Sequence, residues 1–201
     1  MTDVVLYHHV QGLTDGVRAF ADELRQAGHT VHTPDVFDGR TFGSIEEGIA
    51  FAREAGFGTL AARGVSAAEE LDLEAVYAGF SFGAMIAQQL AQTRPGARGA
   101  LLMYSCLPVS EFGDAWPEDV PVQVHAKEDD PEFAEDIEAA RALVASTDRA
   151  ELFLYPGEEH LFADSTLPAY DPAAAKLLTE RVLAFLDMVD SAGRRAARLS
   201  A

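Results

Sequence analysis

The segment Gly79-Phe80-Ser81-Phe82-Gly83 carries the strongest chemical signal in this chain. It follows a short apolar run and opens a stretch with helical spacing, which places Ser81 on a tight strand-to-helix turn. A serine held there is exposed at the end of a strand. The flanking glycines let strand and helix approach closely, and the helix N-terminus with the Phe82 N–H can stabilise a developing negative charge. A serine hydroxyl is a poor nucleophile near neutral pH and needs a base.

The chain has six histidines, His8, His9, His29, His32, His125 and His160. Where a serine on such a turn works with an acid and a base, the chain order is serine, acid, histidine. Only His125 and His160 follow Ser81. His125 ends the apolar run 120–124, ahead of any candidate acid. His160 follows a later apolar run and the turn Pro156-Gly157, where a base can swing towards a serine, so His160 is the expected base. The loop Lys127-Glu128-Asp129-Asp130-Pro131 offers three carboxylates as the acid, and the residues alone do not choose among them. Asp130 before Pro131 also suits a helix cap. A second donor to an oxyanion is expected in the loop His8-His9-Val10-Gln11-Gly12. Val10 N–H is the expected donor, with His9 near the nucleophile.

These residues need elements to hold them. Apolar runs at 4–7, 30–33, 74–78, 99–104, 120–125 and 150–155 read as strands. Stretches at 15–27, 44–63, 82–93, 131–146 and 172–189 read as helices, the second broken by Gly56 and Gly58. Strands alternating with helices imply an α/β fold with a mostly parallel central sheet and helices on both faces. Such strands are covered twice and read as continuous apolar runs, as in Leu101-Leu102-Met103. One domain over 1–190 is expected, with 191–201 as a flexible tail.

The formal net charge is −18, from 33 acidic and 15 basic residues. That charge argues against nucleic acid or an anionic membrane as a partner. Cys106 is the single cysteine, which excludes an internal disulfide. No signal-peptide pattern and no membrane-length apolar stretch stands out, so a cytoplasmic location is expected. No ligand-like spacing of histidines or cysteines supports a metal, and no cofactor motif is present.

Four segments resemble the dienelactone hydrolase family of the α/β-hydrolase superfamily. They are the run Val4-Val5-Leu6 with its loop and the following Ala21-Asp22-Glu23-Leu24, then the stretch from Gly28-His29-Thr30 through Pro34-Asp35-Val36-Phe37. The third is the serine turn. The fourth joins Pro121-Val122-Gln123-Val124-His125 and Asp130-Pro131 to Tyr155-Pro156-Gly157-Glu158-Glu159-His160-Leu161-Phe162. The resemblance implies a minimal α/β-hydrolase fold that cleaves an ester or lactone through an acyl-enzyme. It places the nucleophile on Ser81, the acid on Asp130, the base on His160 and the oxyanion donors on the backbones of Val10 and Phe82.

The family's best-known members carry cysteine where this chain has Ser81, and glutamate where it has His9. The arginines that bind a dienelactone carboxylate have no fixed counterpart; Arg40, Arg53 and Arg63 are the candidates. Segments 37–43, 107–116 and 161–170 are expected to line the pocket. The serine, acid, histidine order argues against a non-catalytic binding protein on the same scaffold. Acyl transfer or perhydrolysis would use the same residues.

Overall fold

A computed structural model describes residues 1–71 and 74–199, with side chains up to residue 195. Six strands form one sheet: β1 (Asp3–Tyr7), β2 (Thr30–His32), β3 (Ala75–Phe80), β4 (Gly99–Met103), β5 (Val122–Lys127) and β6 (Ala150–Tyr155). Their spatial order is β2-β1-β3-β4-β5-β6, and every pair is parallel. The helices are α1 (Asp15–Gln26), α2 (Ile45–Ala55), α3 (Phe57–Leu71), α4 (Phe82–Thr93), α5 (Ile137–Ser146) and α6 (Pro172–Leu199). This is the α/β-hydrolase architecture expected from the sequence, with the sheet parallel throughout.

The strands are apolar because both faces are covered. Val5, Tyr7, Tyr77, Leu102 and Val124 face one core with α2 to α5. Val4, Leu6, Val76, Leu101 and Met103 face the other with α1 and α6. Alternation along each strand therefore feeds two separate cores. The chain leaves β1 towards β2 through α1 and reaches β3 through α2 and α3 on the opposite face. Beyond the carboxyl ends of β1 and β3 the chain turns to opposite faces, into α1 and α4, which opens a crevice where α/β sheets place their ligands. Ser81 and the loop after β1 lie there.

The strands shift by at most two residues from the sequence reading, and three helix readings differ by more. The helix expected over 44–63 breaks at Gly56 alone, where φ is 83°. Gly58 lies inside α3, which runs on to Leu71. The helix expected from Pro131 starts at Ile137, and residues 131–136 form turns. There the Asp130 carboxylate accepts the Glu132 N–H instead of capping a helix. Finally, α6 continues through Leu199, so 191–199 is helical where a tail was expected. Arg194 pairs with Asp190 one turn back, and Arg98 donates to the Val189 carbonyl. Ser200 and Ala201 of that tail lie outside the described residues.

Backbone packs closely on backbone at the start of α4. A Cβ on Gly83 would meet the carbonyl oxygens of Tyr7 and His8, and one on Gly79 would meet the Gly83 backbone. Backbone cannot rotate away as a side chain can, so Gly83→Ala should destabilise the protein by about 3 kcal/mol. Urea denaturation reads this, and an unshifted midpoint would refute the packing argument.

Candidate active site

Ser81 has φ 51° and ψ −112°, a conformation that side-chain-bearing residues rarely adopt. Its N–H donates to the Met103 carbonyl at 2.7 Å, tying the turn to the end of β4. The turn leaves the side chain partly exposed.

His160 comes from the loop after β6. Its Nδ1 lies 2.6 Å from Asp130 Oδ2 and its Nε2 lies 3.0 Å from Ser81 Oγ. An ionised Asp130 can only accept, so the proton sits on Nδ1 and Nε2 is left to accept the serine hydroxyl. Asp130 is buried, whereas Glu128 and Asp129 are exposed. Burial thus separates three carboxylates that are equivalent in the sequence. Asp130 Oδ1 accepts the Glu132 N–H at 2.9 Å, which fixes the carboxylate's plane.

Val10 is buried in the turn after β1, and its N–H donates to no acceptor among the described residues. The Phe82 N–H, first in α4, has no intrahelical acceptor. Both are free backbone donors on the two elements that flank the crevice.

His9 is engaged elsewhere. Its Nδ1 accepts the Gln11 N–H at 3.2 Å, and its Nε2 donates to Asp164 Oδ2 at 2.9 Å. Both ring nitrogens therefore hold the loop after β1 in shape. His8 is similarly committed: Nδ1 donates to the His9 carbonyl and Nε2 accepts the Val36 N–H. Burial pushes the His8 pKa down to about 4, in keeping with that neutral pattern. His125 is buried between Tyr155 and Gln123, and burial lowers its pKa to about 3. Among the described residues no three of His, Cys, Asp and Glu gather as a metal-holding group.

Cys106 is buried, and burial together with nearby Asp136 pushes its thiol up to about 12, which is wrong for a nucleophile. Arg63 pairs with Asp38, and Arg40 lies over the Phe51 ring 5.0 Å from its centroid. Arg53 is exposed on α2.

Three residues that hold the site were not singled out by the sequence. Lys127 ends β5 with its buried ammonium 2.5 Å from Glu159 and 2.9 Å from Asp171. Burial alone would lower its pKa, but these two carboxylates raise it. Glu159 precedes His160, so this pair anchors the loop that carries His160. Tyr104, at φ 70°, packs its ring 5.4 Å from the His160 ring and accepts the Ala163 N–H on its hydroxyl. Asp164 accepts from four groups: His9 Nε2 and the Thr14 hydroxyl on one oxygen, the Thr166 N–H and hydroxyl on the other. Thr14 also caps α1 by accepting the Val17 N–H. One carboxylate thus joins the loop after β1, the start of α1 and the turn that follows His160.

The chain belongs to the dienelactone hydrolase family, whose pattern it matches over residues 1–189. Solved structures show the same fold. A dienelactone hydrolase-like promiscuous phosphotriesterase, P91, from metagenomic libraries is 20% identical, with a TM-score of 0.75 over 94% of this chain and 87% of that one. The mouse α/β-hydrolase domain-containing protein 10 is 13% identical, with a TM-score of 0.67 over 93% and 90%. The protein TT1662 from Thermus thermophilus is 19% identical, with a TM-score of 0.63 over 94% and 88%. No curated protein sequence matches the chain. At these identities the likeness to the solved structures is one of fold. Among the described residues no helix is long and apolar enough to cross a membrane.

Asp164→Ala should lower stability by about 2–3 kcal/mol near neutral pH, because it leaves the buried His9 N–H and Thr14 hydroxyl without their acceptor. Burial would raise the Asp164 pKa, but its hydrogen bonds outweigh this and hold it at about 2, below the ordinary 3.8. A carboxyl depressed on folding stabilises above its unfolded pKa and loses that contribution as acid protonates it. The gap between wild type and variant should therefore narrow from 3.8 towards about 2. Denaturation at stepped pH reads the gap, and a constant gap would contradict the ionised network.

Proposed function

We propose that the protein is a serine hydrolase cleaving a small-molecule ester or lactone through an acyl-enzyme. The observation that carries this reading is the hydrogen-bonded series from Ser81 Oγ through His160 to Asp130, at 3.0 and 2.6 Å, on a serine that opens α4. Membership of the dienelactone hydrolase family supports it.

In this mechanism Ser81 Oγ attacks the acyl carbonyl as its proton passes to His160 Nε2. Asp130 keeps the other proton on Nδ1 and stabilises the imidazolium. The carbonyl electron pair moves onto oxygen, which the Val10 and Phe82 N–H groups receive. The tetrahedral intermediate collapses, the bond to the leaving oxygen breaks, and His160 returns its proton there. Water then attacks the acyl-enzyme with His160 again as base, releasing the acid and restoring Ser81. No step requires a resident cofactor.

A fluorophosphonate probe should label the native protein at Ser81, with mass spectrometry locating the adduct. Ser81→Ala should abolish labelling. Ser81→Ala and His160→Ala should each lower kcat on p-nitrophenyl acetate by about a thousandfold or more, and Asp130→Asn by a large factor as well. A folded wild-type chain that resists labelling would overturn the proposal.

A further inference from the structure

A cavity of about 320 Å³ lies between the start of α3, the start of α4 and the segment after β4. Phe57, Ala61, Ala62, Phe82, Met85 and Phe112 line it. Phe82, whose side chain lines the cavity, follows Ser81 directly in the chain and opens the same helix. The Phe57 and Phe82 rings lie 5.9 Å apart and form one apolar wall. Gln89 is the one side chain in the lining with hydrogen-bonding capacity, and no charged residue lines it. The volume sits at the lower end of the range for small-molecule sites, about 300–1,000 Å³.

The chemistry fixes which part of the substrate the cavity takes. His160 Nε2 must protonate the leaving oxygen, so the alcohol side of the ester faces the loop that carries His160. No residue of that loop lines the cavity, which is built from α3, α4 and Phe112. The arm pointing away from His160 is the acyl chain. A hydrocarbon chain gains by leaving water for such a lining. A carboxylate would lose its hydration and find no partner. None of the sequence candidates for an anion site lines the cavity, and Arg63 and Arg40 are engaged with Asp38 and Phe51.

Resting on the serine hydrolase reading, we infer that this cavity is an acyl pocket selecting uncharged aliphatic acyl groups over acyl groups bearing a carboxylate. The test is kcat/KM on p-nitrophenyl esters from acetate to hexanoate, together with the p-nitrophenyl monoester of adipic acid. The value should rise about threefold per methylene. The adipate monoester, as long as hexanoate but anionic, should be slower by about thirtyfold or more. Ala62→Phe narrows the cavity from an exposed position, and Met85→Trp narrows it from α4. In whichever variant melts like wild type, the hexanoate-to-acetate ratio should fall by about tenfold, the gain of roughly two buried methylenes. With Ser81 labelled by fluorophosphonate, a flat series, equal turnover of the adipate monoester or an unchanged ratio in both variants would overturn the pocket alone. An unlabelled Ser81 would overturn the serine hydrolase reading, and the pocket with it.

Discussion

Ser81 holds a left-handed backbone conformation, and the surrounding structure must keep it there. Three contacts do so. The Ser81 N–H is bound to the Met103 carbonyl of β4. The Gly83 backbone packs onto the carbonyls that end β1. The Gly79 backbone packs onto Gly83 in turn. A strained residue persists only where its neighbours over-determine it. Here the neighbours are three adjacent strands, β1, β3 and β4, so the turn is held rigidly from three sides. The hydroxyl's position follows from that rigidity, and so does the placing of the Phe82 N–H.

His160 lies on a loop and depends on side chains for what Ser81 receives from backbone. Asp130 orients one ring nitrogen, Tyr104 packs against the ring, and Lys127 secures the preceding residue. Asp164 fastens the turn that follows to His9 and Thr14. His160 is therefore braced on several sides, from the ends of β4 and β5 and from the turn that follows it. His9 and Asp164 also mean that the turn carrying the Val10 N–H and the loop carrying His160 share one support.

The sheet, the helices on its two faces and the serine turn were legible in the sequence, because apolar periodicity and glycine spacing are local signals. So was His160, from its place after the last strand. Asp130 was separable from Glu128 and Asp129 only by resemblance, since all three sit on one loop and burial is a property of the folded chain. The start of α5 was misplaced because the Asp130 carboxylate accepts the Glu132 N–H and residues 131–136 form turns instead of a helix. Asp164 was illegible because its partners His9 and Thr14 lie 155 and 150 residues away. Lys127 looked like one charged residue in a polar loop until the fold buried it against Glu159 and Asp171.

The two cores divide the molecule's work. The braces of His160 rest largely on the side of the sheet covered by α1 and α6, through Leu161, Phe162 and Tyr104. The cavity beside Phe82 rests on the other side, with α3 and α4. The strands between them are common to both, but their side chains alternate and do not mix. Under the proposed function, changes in α3 or in the segment around Phe112 alter acyl preference while His160 and its braces keep their packing. Under that proposal the fold separates the inheritance of turnover from the drift of preference.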